Sequence, residues 1–313
     1  YHNALFPIIA KTAAMQEIML RGTTSTAALL ADGLPHQWHK PKMDGRRSRP
    51  LATMSGSDEI GVGMKYLQQV DRPMHHYLQR LLDETFLRRR SCDRRGHMPG
   101  RLQLREAMRR KRQGGVWERF KVHRDLFADT SAYLGNCYPT ATSTFFNELV
   151  GTELCKPLPG ECYLFHGTSL DDALRIVDDG FILGRCGSSR VRPSANRDKR
   201  GSMFGSGIYM AEHSSKADEY AMDSHGRKAA HRGEEVAMLL CRALLGRVLS
   251  LPTRGNARKA SRVQDYLGIE YDSLLADLQS TAGTYREFVI PESSQIFPEY
   301  LLIYKRLFGP PGG

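Results

Sequence analysis

The stretch GSMFGSGIYMAEHSSKADEYA, residues 201–221, combines residue types that can close around a flat ligand. Glycine has no Cβ atom, so the backbone can approach a bound molecule closely at glycine positions. Tyr209 and Tyr220 lie eleven residues apart, and tyrosine rings stack well on other planar rings. The stretch is not a dinucleotide-binding GxGxxG signature, because Met210 occupies the third glycine position and no βαβ pattern surrounds it.

Two further positions are suited to chemistry. His166 ends the apolar run ECYLFH and precedes Gly167, whereas Glu287 lies near the start of the apolar run REFVI. A histidine side chain can both donate and accept hydrogen bonds near neutral pH. A carboxylate stabilises positive charge that develops during a reaction. Each residue alone also has an ordinary structural explanation. His166 would then be a strand-end histidine bound to local backbone, and Glu287 a solvated strand-edge residue.

The elements that must position these residues are short helices and many strands. Helical spacing of apolar residues begins near Met74, and a second helix follows Ser169 and ends at Gly180. A third short helix starts at Ser214 or Ser215 and runs through Tyr220. Strands are predicted for RLQLREAM, CYLFH, GIYMA, REFVI and YLLIYK, with two more in VAMLLCRALLGRVLSL broken near Arg242, and with Pro291 and Pro298 bounding a loop. This order predicts an α+β fold.

Composition narrows the class of protein. The chain has 313 residues, 41% of them hydrophobic, which is enough for one large domain or two ordinary ones. No window approaches about 18 continuous apolar residues, so we expect no membrane span. The six cysteines form no CxxC pair and no zinc-type spacing. We therefore expect reduced thiols in an intracellular protein, nuclear or cytoplasmic.

The net charge of +11 is concentrated in one segment. Residues 88–124 contain fourteen Lys or Arg residues against three acidic ones. A basic segment of this kind can bind nucleic acid or another polyanion, and Trp117 and Phe120 could stack on bases. The alternative is a solvated arginine face with two buried aromatic residues. We favour that alternative because no known nucleic-acid-binding motif is present.

Five motifs in a fixed order carry a specific resemblance: HGTS (166–169), MFGSGIYMAE, SSKADEY (214–220), YREFVI and FPEYLLIYKR. Together they resemble the catalytic domain of the poly(ADP-ribose) polymerases, the tankyrase-like group in particular. The resemblance implies an ADP-ribosyltransferase fold, with a split antiparallel β-sheet core and short flanking helices. We expect a catalytic domain over residues 73–308 with its motif core at 161–306. Residues 1–72 form an N-terminal segment of unknown role.

The resemblance also implies an activity. Members of this family consume NAD+, transfer its ADP-ribose to protein acceptors and release nicotinamide, and we expect no metal. The matched catalytic triad is His166, Tyr209 and Glu287. By resemblance, His166 binds the adenosine ribose hydroxyl, the Gly167 backbone clamps the nicotinamide amide, and Glu287 acts at the nicotinamide ribose. Glu292 and Glu299 are nearby competitors, and Glu287 is preferred because it occupies the matched position.

The rest of the expected NAD+ site comes from the same motifs. Tyr209 and Tyr220 would hold nicotinamide between them, and Lys216 would lie on the acceptor side, although a helix-surface lysine is the plain alternative. Ala217 replaces a serine that bonds the nicotinamide amide in many relatives. Losing one neutral hydrogen bond predicts binding weaker by up to about tenfold, with Ser215 or water in compensation. The full expected binding set is His166, Gly167, Thr168, Tyr209, Ser215, Lys216, Ala217 and Tyr220.

Retention of Glu287 is associated in the family with polymer formation, so we expect poly(ADP-ribose) synthesis. A mono-ADP-ribosyltransferase or NAD+ glycohydrolase on the same fold is the nearest alternative. An inactive module that binds nucleic acid or polymer through residues 88–124 is the alternative from another class.

Overall fold

The computed structural model describes residues 64–130, 138–143, 160–183, 204–223, 234–251, 267–268 and 270–309. Nine strands occur in this part of the chain: β1 (Leu67–Gln69), β2 (Arg101–Arg110), β3 (Glu161–Thr168), β4 (Ile208–Ala211), β5 (Glu235–Leu244), β6 (Val248–Leu251), β7 (Ser273–Asp277), β8 (Arg286–Ile290) and β9 (Ile296–Leu307). The α-helices are α1 (Arg72–Glu84), α2 (Gly114–Thr130), α3 (Leu170–Asp179), α4 (Ser214–Asp218) and α5 (Leu278–Ala282), and Met64–Tyr66 and Ser293–Gln295 are 3-10 helices.

The strands form one sheet in the order β1-β2-β9-β5-β3-β4-β8-β7-β6. Neighbouring strands are antiparallel except β6 and β7, which are parallel. The sheet is almost divided between β3 and β4, which share the single residue pair Phe165 and Ala211. The predicted α+β fold with a split antiparallel sheet is therefore confirmed, and the split lies at the strands that carry His166 and Tyr209.

Helix α1 forms where the apolar spacing predicts it. The Asp71 side chain caps its N-terminus by accepting a hydrogen bond from the Met74 amide at 2.9 Å. Leu78, Leu81 and Leu82 form one stripe, and each is at most 1% exposed. The stripe packs into a core cluster that also includes residues of β2, β3, β5 and β9, so α1 covers one face of the sheet.

Helix α3 has both of the termini that the sequence predicts. The Ser169 hydroxyl accepts a hydrogen bond from the Asp172 amide at 3.1 Å, which satisfies a free donor of the first turn. Gly180 follows the helix with φ of 85°, a conformation that favours glycine. Helix α4 is shorter than predicted, because it ends at Asp218 rather than continuing through Tyr220.

Two strand predictions were wrong. Arg242 does not interrupt β5, because ion pairs with Glu161 and Glu299 compensate its charge inside the protein. The break between the two strands lies instead at residues 245–247. Pro298 does not end a loop but lies inside β9. It faces Cys241 next to a register shift, and such an irregularity tolerates a residue without an N–H group.

The expected domain start at residue 73 stays a prediction. Strand β1, at residues 67–69, already pairs with β2, so the described sheet includes residues upstream of that position. Residues 1–63 and the basic stretch of sequence at 184–202 lie outside the described residues.

Candidate active site

His166 and Tyr209 meet where the sheet divides. The His166 Nδ1 atom lies 3.0 Å from the Tyr209 carbonyl oxygen. A carbonyl oxygen can only accept, so Nδ1 must carry the proton. Burial lowers the pKa of His166, against the opposing effects of this hydrogen bond and of Asp172. The neutral ring therefore keeps Nε2 as a hydrogen-bond acceptor, and the edge of the ring packs on Phe181.

Gly167 lies against helix α4. A Cβ atom at this position would be 2.7 Å from the Ala217 carbonyl carbon, closer still to its oxygen, and 3.1 Å from the Ala221 amide nitrogen. Real Cβ atoms do not approach backbone this closely. The residue after His166 must therefore be glycine for α4 to pack on β3.

Tyr209 is fixed by a turn of its own motif. Its hydroxyl accepts a hydrogen bond from the Phe204 amide at 2.9 Å and donates one to the Gly205 carbonyl at 3.0 Å. Gly205 has φ of 81°, so a glycine suits this turn. The Tyr209 ring packs beside a core cluster that includes Phe204, Leu274 and Val289. The glycine loop thus sets the orientation of Tyr209.

Lys216 lies directly opposite Glu287. The Lys216 Nζ atom is 3.3 Å from Glu287 Oε1, and the lysine side chain is 2% exposed. The alternative of a helix-surface lysine is therefore wrong. Glu287 is 9% exposed and lies on β8, where its backbone pairs with Ala211 of β4. Strands β3, β4 and β8 are neighbours, so His166, Tyr209 and Glu287 come from three adjacent strands.

Around Lys216, acidic side chains outnumber basic ones. Its Nζ atom is 2.9 Å from Asp93 Oδ2 and 2.9 Å from Glu219 Oε2, in addition to Glu287. Burial disfavours the ammonium form, but these carboxylates outweigh burial and raise the Lys216 pKa. The pKa of Glu287 is also raised, first by burial and further by Asp93 and Glu219, while Lys216 opposes the shift. One cation thus serves three acids.

Tyr220 completes this charged group. Its hydroxyl donates a hydrogen bond to Asp93 Oδ2 at 2.8 Å, and Lys216 Nζ lies 5.1 Å from the centre of its ring. Burial and the nearby Glu287 charge raise the pKa of the phenol, so Tyr220 is a neutral donor at physiological pH.

The remaining predicted residues have structural contacts. The Ser215 hydroxyl accepts a hydrogen bond from the Leu87 amide at 3.0 Å and lies 3.2 Å from the Tyr285 hydroxyl. Whether Ser215 compensates for the serine that Ala217 replaces stays a prediction. Ala217 is 2% exposed, and its carbonyl faces Gly167. Thr168 is buried, and its carbonyl accepts from the Met222 amide at 3.2 Å.

An ionic network holds helix α4 in place. Asp218 is fully buried, and its Oδ1 atom accepts hydrogen bonds of 2.7 Å from Tyr304 and from Arg306. Arg94 binds Asp218 Oδ2 and the Ser215 carbonyl. A helix of one turn has little stability of its own, so these contacts position Lys216 and Ala217.

A second ionic contact lies beside Glu287. Arg286 binds Glu212 through two nearly parallel hydrogen bonds of 2.6 Å, and Glu212 also accepts from the Ala141 amide. Bidentate pairs of this type fix geometry as well as charge. The pair links Glu212, the residue after β4, to Arg286, the first residue of β8 and the neighbour of Glu287.

The competing acids differ from Glu287. Glu299 is fully buried among Arg109, Arg112 and Arg242. Burial alone would raise its pKa, but the three guanidinium groups hold it at about 2. Glu299 is therefore charged at neutral pH, and its ion pairs give it a structural role. Glu292 is partly exposed, and burial raises its pKa.

The basic segment is partly neutralised within the fold. Within the described residues, six of its arginines form ion pairs with acids outside the segment: Arg94, Arg101, Arg105, Arg109, Arg112 and Arg124. Phe120 is fully buried, and the Trp117 ring packs edge-on against Phe297 at 5.1 Å. Phe120 is thus a core residue, and Trp117 is a partly buried residue packed against the same cluster.

Sequence reasoning missed Asp93 and Glu219. Glu219 lies three residues after Lys216, a spacing that brings side chains together on a helix and is visible in the sequence. Asp93 is 123 residues from Lys216, and no local pattern signals the contact.

Metal-binding clusters and membrane-spanning helices are both absent from the described residues. No group of three or more His, Cys, Asp or Glu side chains there could hold a metal ion. No helix there is both long and apolar enough to span a membrane.

Comparison with known proteins agrees with the motifs. Residues 94–306 match the family described as "Poly(ADP-ribose) polymerase catalytic domain". The protein "Poly [ADP-ribose] polymerase tankyrase" of Caenorhabditis elegans is 26% identical over 190 residues, which are 50% of this chain and 8% of that protein. The chain thus spans a small part of the length of this curated relative. Because the family match covers more than half of the sequence, the chain belongs to the poly(ADP-ribose) polymerase catalytic domain family.

Proposed function

We propose that the chain is an NAD+-dependent ADP-ribosyltransferase. It transfers ADP-ribose from NAD+, which it consumes as a substrate, to protein acceptors and releases nicotinamide. The family membership supports the reaction class. The observation that carries the proposal for this chain is the buried contact of 3.3 Å between Glu287 and Lys216 of α4. Glu287 lies on β8, which adjoins the Tyr209 strand β4, and β4 in turn adjoins the His166 strand β3.

Glu287 has the properties that the chemistry needs. The bond between the ribose C1′ atom and nicotinamide breaks with its electron pair leaving on nicotinamide, so positive charge develops at C1′, as in glycoside cleavage. A fixed carboxylate in a water-poor site stabilises that charge. An acceptor oxygen then forms the new bond at C1′, and its proton passes to the Glu287 carboxylate or to solvent. Lys216 fixes one Glu287 oxygen, which limits the orientation of the other.

The other residues of the proposed site bind and orient NAD+. The neutral His166 ring offers Nε2 as an acceptor for a ribose hydroxyl, because Nδ1 is committed to the Tyr209 carbonyl. The rings of Tyr209 and Tyr220 are proposed walls for nicotinamide. The backbone of Gly167 and Thr168, together with Ser215, Lys216 and Ala217 of α4, completes the proposed NAD+ site.

We further propose that the product is poly(ADP-ribose), which a glutamate at position 287 favours. Single-unit transfer and NAD+ hydrolysis are the competing outcomes. We propose an intracellular setting, nuclear or cytoplasmic, and the buried reduced thiol of Cys241 supports it. Binding of nucleic acid or another polyanion by residues 88–124 is less well supported, because six of their arginines are paired within the fold.

The test is turnover of labelled NAD+ by the purified chain, alone and with a cell lysate. We expect labelled protein that runs as a high-mass ladder on a denaturing gel. Glu287→Gln keeps the shape of the side chain but removes its charge, and it should reduce turnover by about 100-fold or more.

Glu292→Gln is the matched control, because Glu292 is a nearby partly exposed acid. It should leave turnover near the wild-type value. A single sharp shift of labelled protein would indicate single-unit transfer, and released nicotinamide without labelled protein would indicate a glycohydrolase. Failure of the wild-type chain to consume NAD+ would contradict the proposed activity.

A further inference from the structure

Asp93 lies at the candidate active site although no motif includes it. It belongs to the connection between α1 and β2, residues 85–100, which we call the α1–β2 connection. One of its oxygens, Oδ2, accepts hydrogen bonds from both Lys216 Nζ and Tyr220 Oη. The same Lys216 atom contacts Glu287. A single ammonium group thus separates Asp93 from the proposed catalytic carboxylate.

The α1–β2 connection is fastened on both sides of this contact. On the side of α4, the Leu87 amide donates to Ser215, and the Ser91 hydroxyl donates to Glu219 at 2.6 Å. On the side of β8, the Tyr285 hydroxyl is 2.9 Å from the Leu87 carbonyl and 2.6 Å from the Arg89 carbonyl.

Asp93 itself lies between two anchored residues. Its backbone amide donates to the Ser91 hydroxyl at 3.1 Å, and the next residue, Arg94, is 6% exposed and binds α4. The Asp93 side chain nevertheless remains 36% exposed. Its carboxylate is therefore held in place without being part of the hydrophobic core, and variants at this position should fold.

We propose that Asp93 is a positioning residue for ADP-ribosyl transfer: it holds Tyr220 through the phenol hydroxyl and holds Lys216 between itself and Glu287. This inference rests on the proposed function. A hydrogen bond from a phenol to a carboxylate is stronger than one between neutral groups, so Asp93 restricts rotation of the Tyr220 ring. Its charge also draws Lys216 away from exclusive pairing with Glu287.

Two substitutions separate these effects. Asp93→Ala removes the acceptor and the charge, whereas Asp93→Asn removes the charge but keeps an oxygen that accepts from Tyr220. With a non-hydrolysable NAD+ analogue, which the protein cannot consume, as the probe in isothermal titration calorimetry, Asp93→Ala should raise Kd by about tenfold, and Asp93→Asn should raise it by less than about threefold. Both variants should lower kcat, because Lys216 then pairs more closely with Glu287.

A double-mutant cycle shows whether Asp93 affects NAD+ binding through Tyr220. If Asp93 acts on NAD+ binding through the Tyr220 hydroxyl, Asp93→Ala should change Kd by less than about twofold in a Tyr220→Phe background. His97→Ala is the control, since His97 is exposed in the same α1–β2 connection, and it should leave Kd and kcat unchanged.

The outcomes are distinct. If the wild type turns over NAD+ and both Asp93 variants keep its Kd, kcat and pH profile, the inference is overturned and the proposed function stays intact. A fully additive cycle with Tyr220→Phe would overturn the positioning of Tyr220. A wild-type chain that neither binds nor consumes NAD+ would overturn the proposed function, and the inference with it.

Discussion

Gly167 shows how one residue can serve both packing and a binding site. The close approach of the Ala217 carbonyl leaves no room for a Cβ atom on β3. The Ala217 carbonyl belongs to backbone rather than to a flexible side chain, so it cannot move aside without displacing α4. Glycine at this position is therefore a requirement of the fold, whatever contact its backbone makes with a substrate.

Gly167→Ala should destabilise the protein by about 1–3 kcal/mol and shift α4 with Lys216. Thermal unfolding and NAD+ affinity measure the two effects, and both should worsen. Gly309→Ala is the matched control, because a Cβ atom there meets nothing within 4 Å. Equal melting temperatures for Gly167→Ala and the wild type would show that the backbone gives way easily.

The protonation of Glu287 should limit activity at low pH. Its pKa is raised from 4.5 by burial, Asp93 and Glu219, and lowered by Lys216. The carboxylate is the active form, so kcat/KM for NAD+ should fall as the pH drops through a midpoint above 4.5.

Two substitutions should move that midpoint in opposite directions. Asp93→Asn removes a negative charge and should shift it to lower pH, whereas Lys216→Met removes the positive charge and should shift it to higher pH. Profiles of kcat/KM against pH provide the measurement. Shifts of the same sign would contradict the assignment of the acid limb to Glu287.

At the scale of elements, helix α4 depends on tertiary contacts. It has five residues, so its own hydrogen bonds cannot stabilise it in isolation. Asp218 ties it to β9 through Tyr304 and Arg306 and to the α1–β2 connection through Arg94. The position of Lys216 is therefore set by residues about 90 and 120 positions away in the sequence.

Removing that tie should have a large effect. Asp218→Ala leaves Arg94 and Arg306 buried without this carboxylate, and breaking a buried pair costs about 3–5 kcal/mol. Urea unfolding should report the loss. Asp179→Ala, an exposed aspartate at the end of α3, should change stability by less than about 0.5 kcal/mol. Similar small changes for both variants would mean that α4 is held by its apolar contacts instead.

At the scale of the whole molecule, many ion pairs join residues that are far apart in the sequence. The acids that pair with six arginines of the basic segment come from α1, β3, β5, β9 and α4. They are Asp83, Glu161, Glu235, Glu299 and Asp218. The concentration of arginine in the sequence is thus in part the counterpart of acids that are scattered along the chain. This arrangement makes stability dependent on pH.

Glu299 should contribute to acid unfolding. Its folded pKa of about 2 lies below the ordinary value of 4.5, so its stabilising effect is present above pH 4.5 and is lost as the pH falls toward 2. A difference of this size corresponds to about 3 kcal/mol. Glu299→Gln should lower the free energy of unfolding by about that amount at pH 7 and by clearly less near pH 3. Equal losses at both pH values would contradict this linkage.

The sequence by itself determined the family, the α+β class and most of the elements that carry the motifs. These features follow from local signals: Ser169 and Gly180 delimit a helix, and the apolar runs before His166 and after Glu287 form strands. Such signals depend on neighbours a few residues apart, so they can be identified without the fold.

Only the tertiary structure decided how the charged residues are paired. From the local sequence, Arg242 and Pro298 are predicted to interrupt strands. In the structure Arg242 forms ion pairs with two acids from other strands, and Pro298 lies in a strand next to a register shift. The contact between Asp93 and Lys216 joins residues 123 positions apart. Ion pairs between distant residues leave no periodic trace in a sequence, because they depend on which strands become neighbours in the sheet.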